Sequence, residues 1–319
     1  MRILVLGGAG FIGRHAAGAL LGRGHEVCIG TRHPRRAARR LPAGLRGCEL
    51  REAHLERLTS RAGWHPLLAG FDVIVNAVGI LRERHAETYD RVHHLAPAAL
   101  AAACALVGRR LVHVSALGLH VDARSGFIRS KIAGERAVAA SGADYSIVRP
   151  SLLEGKGGFG ARWIHALARL PVHVVPVDAT GRIAVMDVRD LGVAIAVLCG
   201  LPGHECREAE LGGNECPTMA GYLAALRRKS GRPRALLIRL PAWMARFASH
   251  GCDALHFSPF SFGHLELMRR DNLPTHNLLP ALLRDALVFR RIPEIVEAPP
   301  VALRRPALEP RGRLGAPAA

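Results

Sequence analysis

The stretch RILVLGGAGFIGRH, residues 2–15, decides the fold. It begins with an apolar run at residues 3–6, which is typical of a parallel strand that is buried on both faces. Gly7, Gly10 and Gly13 follow, and a helical pattern then begins. Glycines at this spacing allow a tight turn, a close approach of backbone to a pyrophosphate and close packing of helix on strand. The stretch therefore predicts a dinucleotide-binding turn.

The end of the second predicted strand, residues 25–30, bears on which dinucleotide is bound. Thr31 and Arg32 follow this strand, with Arg35 and Arg36 shortly after, and no acidic residue is present. NAD sites usually place Asp or Glu here, whereas a basic residue accommodates the 2′-phosphate of NADP. Guanidinium matches phosphate in charge and geometry. We therefore predict NADP(H), with NAD(H) as the alternative; the alternative for Arg35 and Arg36 is solvated surface.

The remaining strands and helices alternate along the chain. Strands are expected near Glu49, at residues 71–77, at residues 111–115 and at residues 182–187, and the alanine-rich stretch 89–107 predicts a long helix. The weak third strand, with Glu49 and Leu50, is expected near the adenine. This alternation is typical of the α/β class, with a Rossmann-type doubly wound parallel sheet.

Domain organisation follows from the same pattern. We predict a dinucleotide-binding domain over residues 1–150 and a smaller C-terminal substrate or partner part over 151–291, some of whose elements return to the first domain. Residues 292–319 are rich in Pro, Arg and Ala without periodicity, so we expect a disordered tail.

Composition restricts the class of partner. The formal net charge is +18 and the pI about 11.1, values that on their own suggest an anionic partner. Yet only Lys131, Lys156 and Lys229 are lysines, so 44 − 3 = 41 basic residues are arginine. So uniform a preference for arginine indicates a general compositional bias as much as a binding surface. No nucleic-acid-binding signature is present and aromatic residues make up only 5%, so we predict no nucleic-acid partner.

The cysteines and the apolar runs bear on location. Seven scattered cysteines without C-x-x-C spacing indicate a reducing compartment, and no uninterrupted apolar run of about 18 residues is present. Because the chain starts at a strand, we expect no signal peptide and a cytoplasmic protein, with a peripheral position at the inner membrane surface as the alternative. Histidine spacing offers no metal site, so none is predicted.

Six motifs in order carry a resemblance to a known family. They are GGAGFIG at 7–13, TR at 31–32, NAVG at 76–79, VSALG at 114–118, SKIAGE at 130–135 and YSIVRP at 145–150. The chain resembles the extended or atypical branch of the short-chain dehydrogenase/reductase superfamily over nearly all of residues 1–290. Within it, the chain is most similar to NmrA-like proteins and to the NADPH-binding accessory subunit of complex I with its bacterial relatives.

The resemblance implies a Y-x-x-x-K signature in which tyrosine transfers a proton, lysine binds the cofactor and a nearby serine holds the substrate oxygen. Lys131 matches the lysine, but the tyrosine position is Phe127, which has no proton to give. Ser115 lies in the right segment, although Leu117 stands where many members have Ser or Thr. Lys131 and Ser115 are thus the catalytic candidates.

The whole set of predicted cofactor contacts follows from the glycine turn, the strand ends and the resemblance. It comprises Gly7, Gly10, Phe11, Ile12, Gly13, Thr31, Arg32, Arg36, Asn76, Ala77, Val78, Gly79, Ser115, Lys131 and Pro150. No other tyrosine has the position needed to replace the missing phenol: Tyr89, Tyr145 and Tyr222 fall elsewhere. His93, His94 and His113 are interpreted as packed or surface residues.

Two classes of function remain. Phe127 favours an NADPH-preferring nucleotide-binding protein with weak or no catalysis, linked to quinone or respiratory assembly as the complex I resemblance suggests. The alternative is an active NADP(H)-dependent oxidoreductase, epimerase or dehydratase that acts on a small carbonyl, sugar-nucleotide or quinone substrate. Residues 235–262, which include Trp243 and Met244, are expected to cover the substrate pocket; an anionic membrane surface or a protein partner is the alternative.

Overall fold

The computed structural model of the protein describes residues 1–255 and 261–288, and for residues 254–255 and 285–288 it describes the backbone alone. The predicted tail, residues 292–319, lies outside the described residues.

Eleven strands are formed in the described part of the chain. They are β1 (Arg2–Leu6), β2 (Glu26–Thr31), β3 (Glu49–Glu52), β4 (Val73–Asn76), β5 (Arg110–Val114), β6 (Tyr145–Pro150), β7 (Leu153–Glu154), β8 (Val172–Pro176), β9 (Met186–Asp187), β10 (Glu208–Leu211) and β11 (Leu236–Leu240). Seven of them form one parallel sheet in the order β10-β6-β5-β4-β1-β2-β3. This order reverses between β1 and β4, as in a doubly wound nucleotide-binding sheet, and confirms the predicted Rossmann-type fold.

Helices cover both faces of this sheet. They are α1 (Phe11–Leu21), α2 (Pro34–Ala38), α3 (Arg61–Leu68), α4 (Ala96–Val107), α5 (Gly126–Ala139), α6 (Phe159–Arg169), α7 (Val188–Gly200), α8 (Met219–Lys229), α9 (Ala242–Leu255), α10 (Phe262–Met268) and α11 (Leu279–Val288). None of the helices in residues 1–255 and 261–288 is long and apolar enough to cross a bilayer.

The first strand shows how the sequence builds two cores. Ile3 and Val5 pack into the core under α1 and α7, while Leu4 and Leu6 pack into the core on the opposite face. All four side chains have no exposed surface, because alternate residues of a strand point to opposite faces and helices cover both. The continuous apolar run predicted this burial.

Two predicted elements differ from the observed ones. The helix expected over 89–107 begins with a π-helical turn, Asp90–Leu95, before α4. There the chain passes close to α5, where a Cβ on Gly134 would overlap the His93 carbonyl oxygen. The strand expected over 182–187 is ordered as a strand only in β9, because Arg182 and Ile183 form isolated bridges to Thr218 and Asn272.

Residues after β6 are divided between the main sheet and a smaller group of elements. Strand β10 pairs with β6, and α7 packs on α1. Strands β8 and β11 pair with each other in a two-stranded parallel ribbon beside α6 and α8. The predicted division at residue 150 stays a prediction.

Candidate functional site

A cavity of about 950 Å³ opens at the carboxyl ends of the central strands. The turn after β1, the segments after β4 and β5 and the last residue of β6 all line it. Open α/β sheets bind ligands at this edge, where the strand order reverses. From there the cavity continues between α6, the β8–β11 ribbon and α10.

The glycine turn is shaped for a close ligand. Gly7 has a φ of 73°, which favours glycine, and a Cβ on Gly13 would overlap the Gly7 carbonyl. Gly10 is the N-cap of α1 and has no side chain to cap the helix, so the first N–H groups of the helix are left for a ligand. Backbone donors and the positive end of the helix suit a pyrophosphate, and the residues present therefore fit a dinucleotide.

Most of the predicted cofactor contacts lie on the cavity wall. These are Gly7, Gly10, Phe11, Ile12, Thr31, Arg32, Ala77, Val78, Gly79, Ser115, Lys131 and Pro150. Gly13, Arg36 and Asn76 lie off the wall.

The three exceptions have separate physical reasons. Gly13 packs against the turn itself, and Arg36 is exposed on α2. The Asn76 side chain is fully buried, where its amide N lies 3.1 Å from His113 Nδ1 and its oxygen accepts from the Val78 N–H. The Asn76 side chain therefore supports the end of β4 without facing the cavity.

The predicted third strand is present as β3, and the residues expected near the adenine, Glu49 and Leu50, lie within it and off the cavity wall. Ala53 and Leu55, just beyond this strand, line the cavity. The position of the adenine stays a prediction.

Arg32 is half exposed at the rim of the cavity and forms an ion pair with Glu87, which also lines it. A 2′-phosphate that reaches Arg32 therefore meets a guanidinium that already has an anionic partner. Glu87 was missed by the sequence analysis because it lies in a loop more than fifty residues away.

Lys131 lies in the cavity wall with its Nζ 5.7 Å from the centre of the Phe127 ring. Burial lowers the pKa of its ammonium group to about 8, and the nearby Glu135 carboxylate only partly offsets this. Glu135 is itself engaged by Arg149, whose Nη2 lies 2.7 Å from Oε2. A lysine with this pKa is able to exchange a proton near neutral pH.

The Ser115 hydroxyl is buried in the cavity wall and has no hydrogen-bond partner among residues 1–255 and 261–288. Buried hydroxyl groups nearly always have a partner. This hydroxyl is thus available to a bound ligand, and together with Lys131 it supplies two polar groups at the end of the sheet.

Aromatic rings surround the position of the missing phenol. Phe127 stacks on His264 with ring centres 5.8 Å apart and meets His93 and Tyr89 edge-on at 5.5 and 5.8 Å. The Tyr89 hydroxyl donates to the Leu81 carbonyl at 2.9 Å, and burial raises its pKa to about 12. The Tyr89 ring therefore lies beside Phe127, which the sequence analysis did not expect, but its hydroxyl is engaged by the Leu81 carbonyl.

His264 is a cavity residue that the sequence analysis missed. Its Nδ1 lies 2.5 Å from the Ser261 Oγ, and burial lowers its pKa to about 4, so the ring is neutral near pH 7. No local motif marks this histidine, because only the tertiary fold brings α10 to Phe127.

The far wall of the cavity is apolar. Its lining residues include Leu152, Phe159, Trp163, Ile164, Leu167, Val174, Val175, Pro176, Ile183, Met219, Leu223, Leu240, Leu267 and Met268. The charged residues that line the cavity, Arg32, Glu56, Glu87 and Lys131, all belong to the sheet half. The region expected to cover the pocket does contribute Leu240 and Ala245.

Comparison with curated proteins finds reductases. The chain is 31% identical to the ceramide reductase of Caulobacter vibrioides over 63% of this chain and 61% of that protein, less than two thirds of its length. It is 32% identical to the (4-alkanoyl-5-oxo-2,5-dihydrofuran-3-yl)methyl phosphate reductase of Streptomyces griseus over 72% of this chain and 74% of that protein.

Solved structures share the fold at lower identity. A nucleoside-diphosphate-sugar epimerase from Staphylococcus aureus is 18% identical, with a TM-score of 0.66 over 89% of this chain and 96% of that one. This likeness shows the fold alone.

A family model described as "NAD dependent epimerase/dehydratase family" matches residues 3–200. The match begins at β1 and ends at the last residue of α7, so it includes the glycine turn, Ser115 and Lys131. The finer likeness to NmrA-like proteins and to the complex I subunit stays a prediction. The chain belongs to the NAD dependent epimerase/dehydratase family of the extended short-chain dehydrogenase/reductase superfamily.

Proposed function

We propose that the protein is an NADP(H)-dependent reductase that acts on the carbonyl group of a largely apolar substrate. The observation that carries this proposal is the apolar far wall of the cavity, beyond Ser115 and Lys131. A sugar nucleotide brings a diphosphate and several hydroxyl groups, which need charged and polar partners. Among the residues that the structure describes, that wall has no charged side chain to bind them. The names of the two relatives described above support the reductase activity, and one of these proteins is named for ceramide.

Two side chains of this chain would act on the substrate. A bound NADPH supplies the hydride that reduces the carbonyl carbon. The Ser115 hydroxyl would donate a hydrogen bond to the carbonyl oxygen. The Lys131 ammonium group would transfer a proton to that oxygen and then take up another proton from solvent. Phe127 takes no part in proton transfer and fills the space beside Lys131. Arg32 would hold the 2′-phosphate, which gives the preference for NADP(H) over NAD(H).

A second candidate rests on Phe127. Since the family's proton donor is replaced by a hydrocarbon ring, the protein would then bind NADPH without turnover, as a ligand-dependent member of a quinone-linked or respiratory assembly. The two candidates share the cofactor site and differ in whether Lys131 serves as the acid.

The test is NADPH oxidation by the purified protein with a panel of medium-chain aliphatic ketones and a short-chain quinone, after NADPH binding has been measured by calorimetry. We expect turnover of an apolar ketone, with a kcat that falls as the pH rises above about 8, because only the charged lysine donates a proton. Lys131→Met is expected to lower kcat by about 10²- to 10⁴-fold, the usual contribution of acid–base catalysis. Lys229→Met, at the exposed end of α8, is the matched control and leaves kcat unchanged.

Phe127→Tyr separates the two candidates. The variant restores the family's signature and should leave NADPH affinity nearly unchanged, since Phe127 already occupies the position. NADPH binding by the natural protein without turnover, followed by turnover in Phe127→Tyr, would favour the non-catalytic candidate. Failure to bind either dinucleotide would refute both.

A further inference from the structure

Exposed apolar side chains are concentrated around the far end of the cavity. Of the 15 large hydrophobic residues that are exposed in the described part of the chain, 11 lie between residues 159 and 247. They are Phe159, Leu167, Leu170, Val174, Val177, Leu236, Leu237, Ile238, Trp243, Met244 and Phe247. We call this group the apolar rim. Clustered exposed hydrophobic residues of this kind mark an interaction surface.

The β8–β11 ribbon connects the rim to the cavity. In its parallel register Val174 lies beside Ile238, and Pro176 lies beside Leu240. Residues two apart in a strand share a face. Val174, Pro176 and Leu240 line the cavity, and Val174 and Ile238 are 56% and 44% exposed, so one apolar face runs from the cavity to the surface.

Two helices continue the rim on either side of the ribbon. Phe159, Trp163 and Leu167 are spaced four apart on α6 and all line the cavity, and Phe159 and Leu167 are also exposed. On α9, Trp243 and Phe247 are likewise four apart and are 73% and 80% exposed. The elements that enclose the cavity therefore also form the rim.

The segments that carry the rim are strongly basic. Residues 155–177 and 216–252 contain no aspartate or glutamate. Their exposed cations are Lys156, Arg162, Arg169, Arg228, Lys229, Arg232, Arg234, Arg239 and Arg246. Segments that carry exposed apolar side chains together with exposed arginine and lysine, and no carboxylate, suit the boundary of an anionic bilayer, where the apolar groups enter the acyl region and the cations meet phosphate.

We propose that the apolar rim docks on the surface of an anionic lipid bilayer and opens the cavity toward it. The inference rests on the proposed function, because an apolar carbonyl substrate would then pass from the bilayer into the cavity without crossing water. A second copy of the chain fits this surface poorly, because a symmetric contact places both sets of nine cations against each other.

The test is co-sedimentation of the full chain with sucrose-loaded vesicles, either of phosphatidylcholine alone or with about a third phosphatidylglycerol. We expect binding to the anionic vesicles that is at least about tenfold stronger than to the neutral ones and that weakens with salt. Trp243→Ser with Phe247→Ser should weaken this binding at least about tenfold. The matched control is Leu106→Ser with Val121→Ser, which removes two apolar side chains that are 64% and 73% exposed and lie outside the rim, and it should leave binding unchanged.

Three results would overturn the docking proposal. They are no binding to anionic vesicles, an equal loss in the control variant, or a self-association in analytical ultracentrifugation that the rim variant abolishes. Turnover of a short soluble ketone is measured on the same proteins in buffer without vesicles. This measurement tests the reductase proposal independently of the docking proposal. Turnover without vesicle binding overturns docking alone, whereas vesicle binding without turnover supports docking and counts against the reductase.

Discussion

The Arg32 guanidinium carries the proposed preference for NADP(H), and it is paired with the Glu87 carboxylate. A bound 2′-phosphate must either displace the Glu87 carboxylate from Arg32 or be repelled by its negative charge. We therefore expect Arg32→Ala to narrow the ratio of the NADH and NADPH dissociation constants by about tenfold, the scale of one charged hydrogen bond. Glu87→Gln should widen the same ratio, because it frees the guanidinium and removes a negative charge.

Calorimetric titration of each variant with both dinucleotides measures this ratio. Arg36→Ala is the control, since Arg36 is exposed and lies off the cavity wall. If the ratio of the NADH and NADPH dissociation constants is unchanged in Arg32→Ala, Arg32 does not bind the 2′-phosphate.

At this scale the sequence predicts residues that belong to a local motif. Arg32 follows a strand end, and Lys131 lies four residues after Phe127 on one helix, so their places could be read from spacing. His264 and Glu87 could not be predicted, because each reaches the cavity only through the tertiary packing of a distant segment. Asn76 occupies a strand end, as expected, but its side chain is directed at His113 and does not line the cavity.

At the scale of single elements, α1 offers a contrast between two of its glycines. A Cβ on Gly13 would overlap the Gly7 carbonyl and the Gly8 Cα, whereas a Cβ on Gly18 would have no heavy atom within 4 Å. Gly13→Ala should therefore destabilise the protein by about 1–3 kcal/mol through overpacking and weaken dinucleotide binding. Gly18→Ala, on the exposed side of the same helix, should stabilise it by about 0.5–1 kcal/mol. Urea unfolding followed by circular dichroism measures the free energy of unfolding of each variant. If Gly13→Ala and Gly18→Ala change it equally, the glycine turn does not restrain the start of α1.

A strand or helix can be predicted from the sequence wherever its residues follow one hydrophobic pattern throughout. Most strands of the main sheet were predictable because they are short apolar runs at a βαβ spacing, whereas β3 (ELRE) and β10 (EAEL) alternate charged with apolar residues and give a weaker signal. Asp187 caps α7, as its residue type favours. Residues 182–187 have the same apolar character, yet only β9 finds a partner strand. Hydrophobicity indicates burial, and the availability of a partner decides whether a strand forms.

Over the whole molecule, the three histidines with the largest fall in pKa, His93, His113 and His264, make the free energy of unfolding depend on pH. Burial, aided by the Lys131 charge, lowers the pKa of His113 to about 3 and that of His93 well below its ordinary value. Burial likewise lowers the pKa of His264 to about 4. The native state therefore binds fewer protons than the unfolded state once the pH falls below about 6.5, the ordinary value. The stability that these neutral rings provide is complete above that pH and is lost progressively toward pH 4 and below.

Each such histidine should contribute a slope of about 1.4 kcal/mol per pH unit, so the free energy of unfolding is expected to fall steeply between pH 6.5 and 5. Urea unfolding at half-unit steps from pH 7.5 to 5 measures this slope and stays above the range where most carboxylates titrate. His264→Phe keeps a ring stacked on Phe127 and removes one titrating group, so the slope should decrease by about one histidine. His65→Asn, on the exposed face of α3, is the control and should leave the slope as it is. If His264→Phe and the natural protein lose stability in parallel, His264 is not buried as a neutral ring, and the packing of α10 over Phe127 that closes this side of the cavity is wrong.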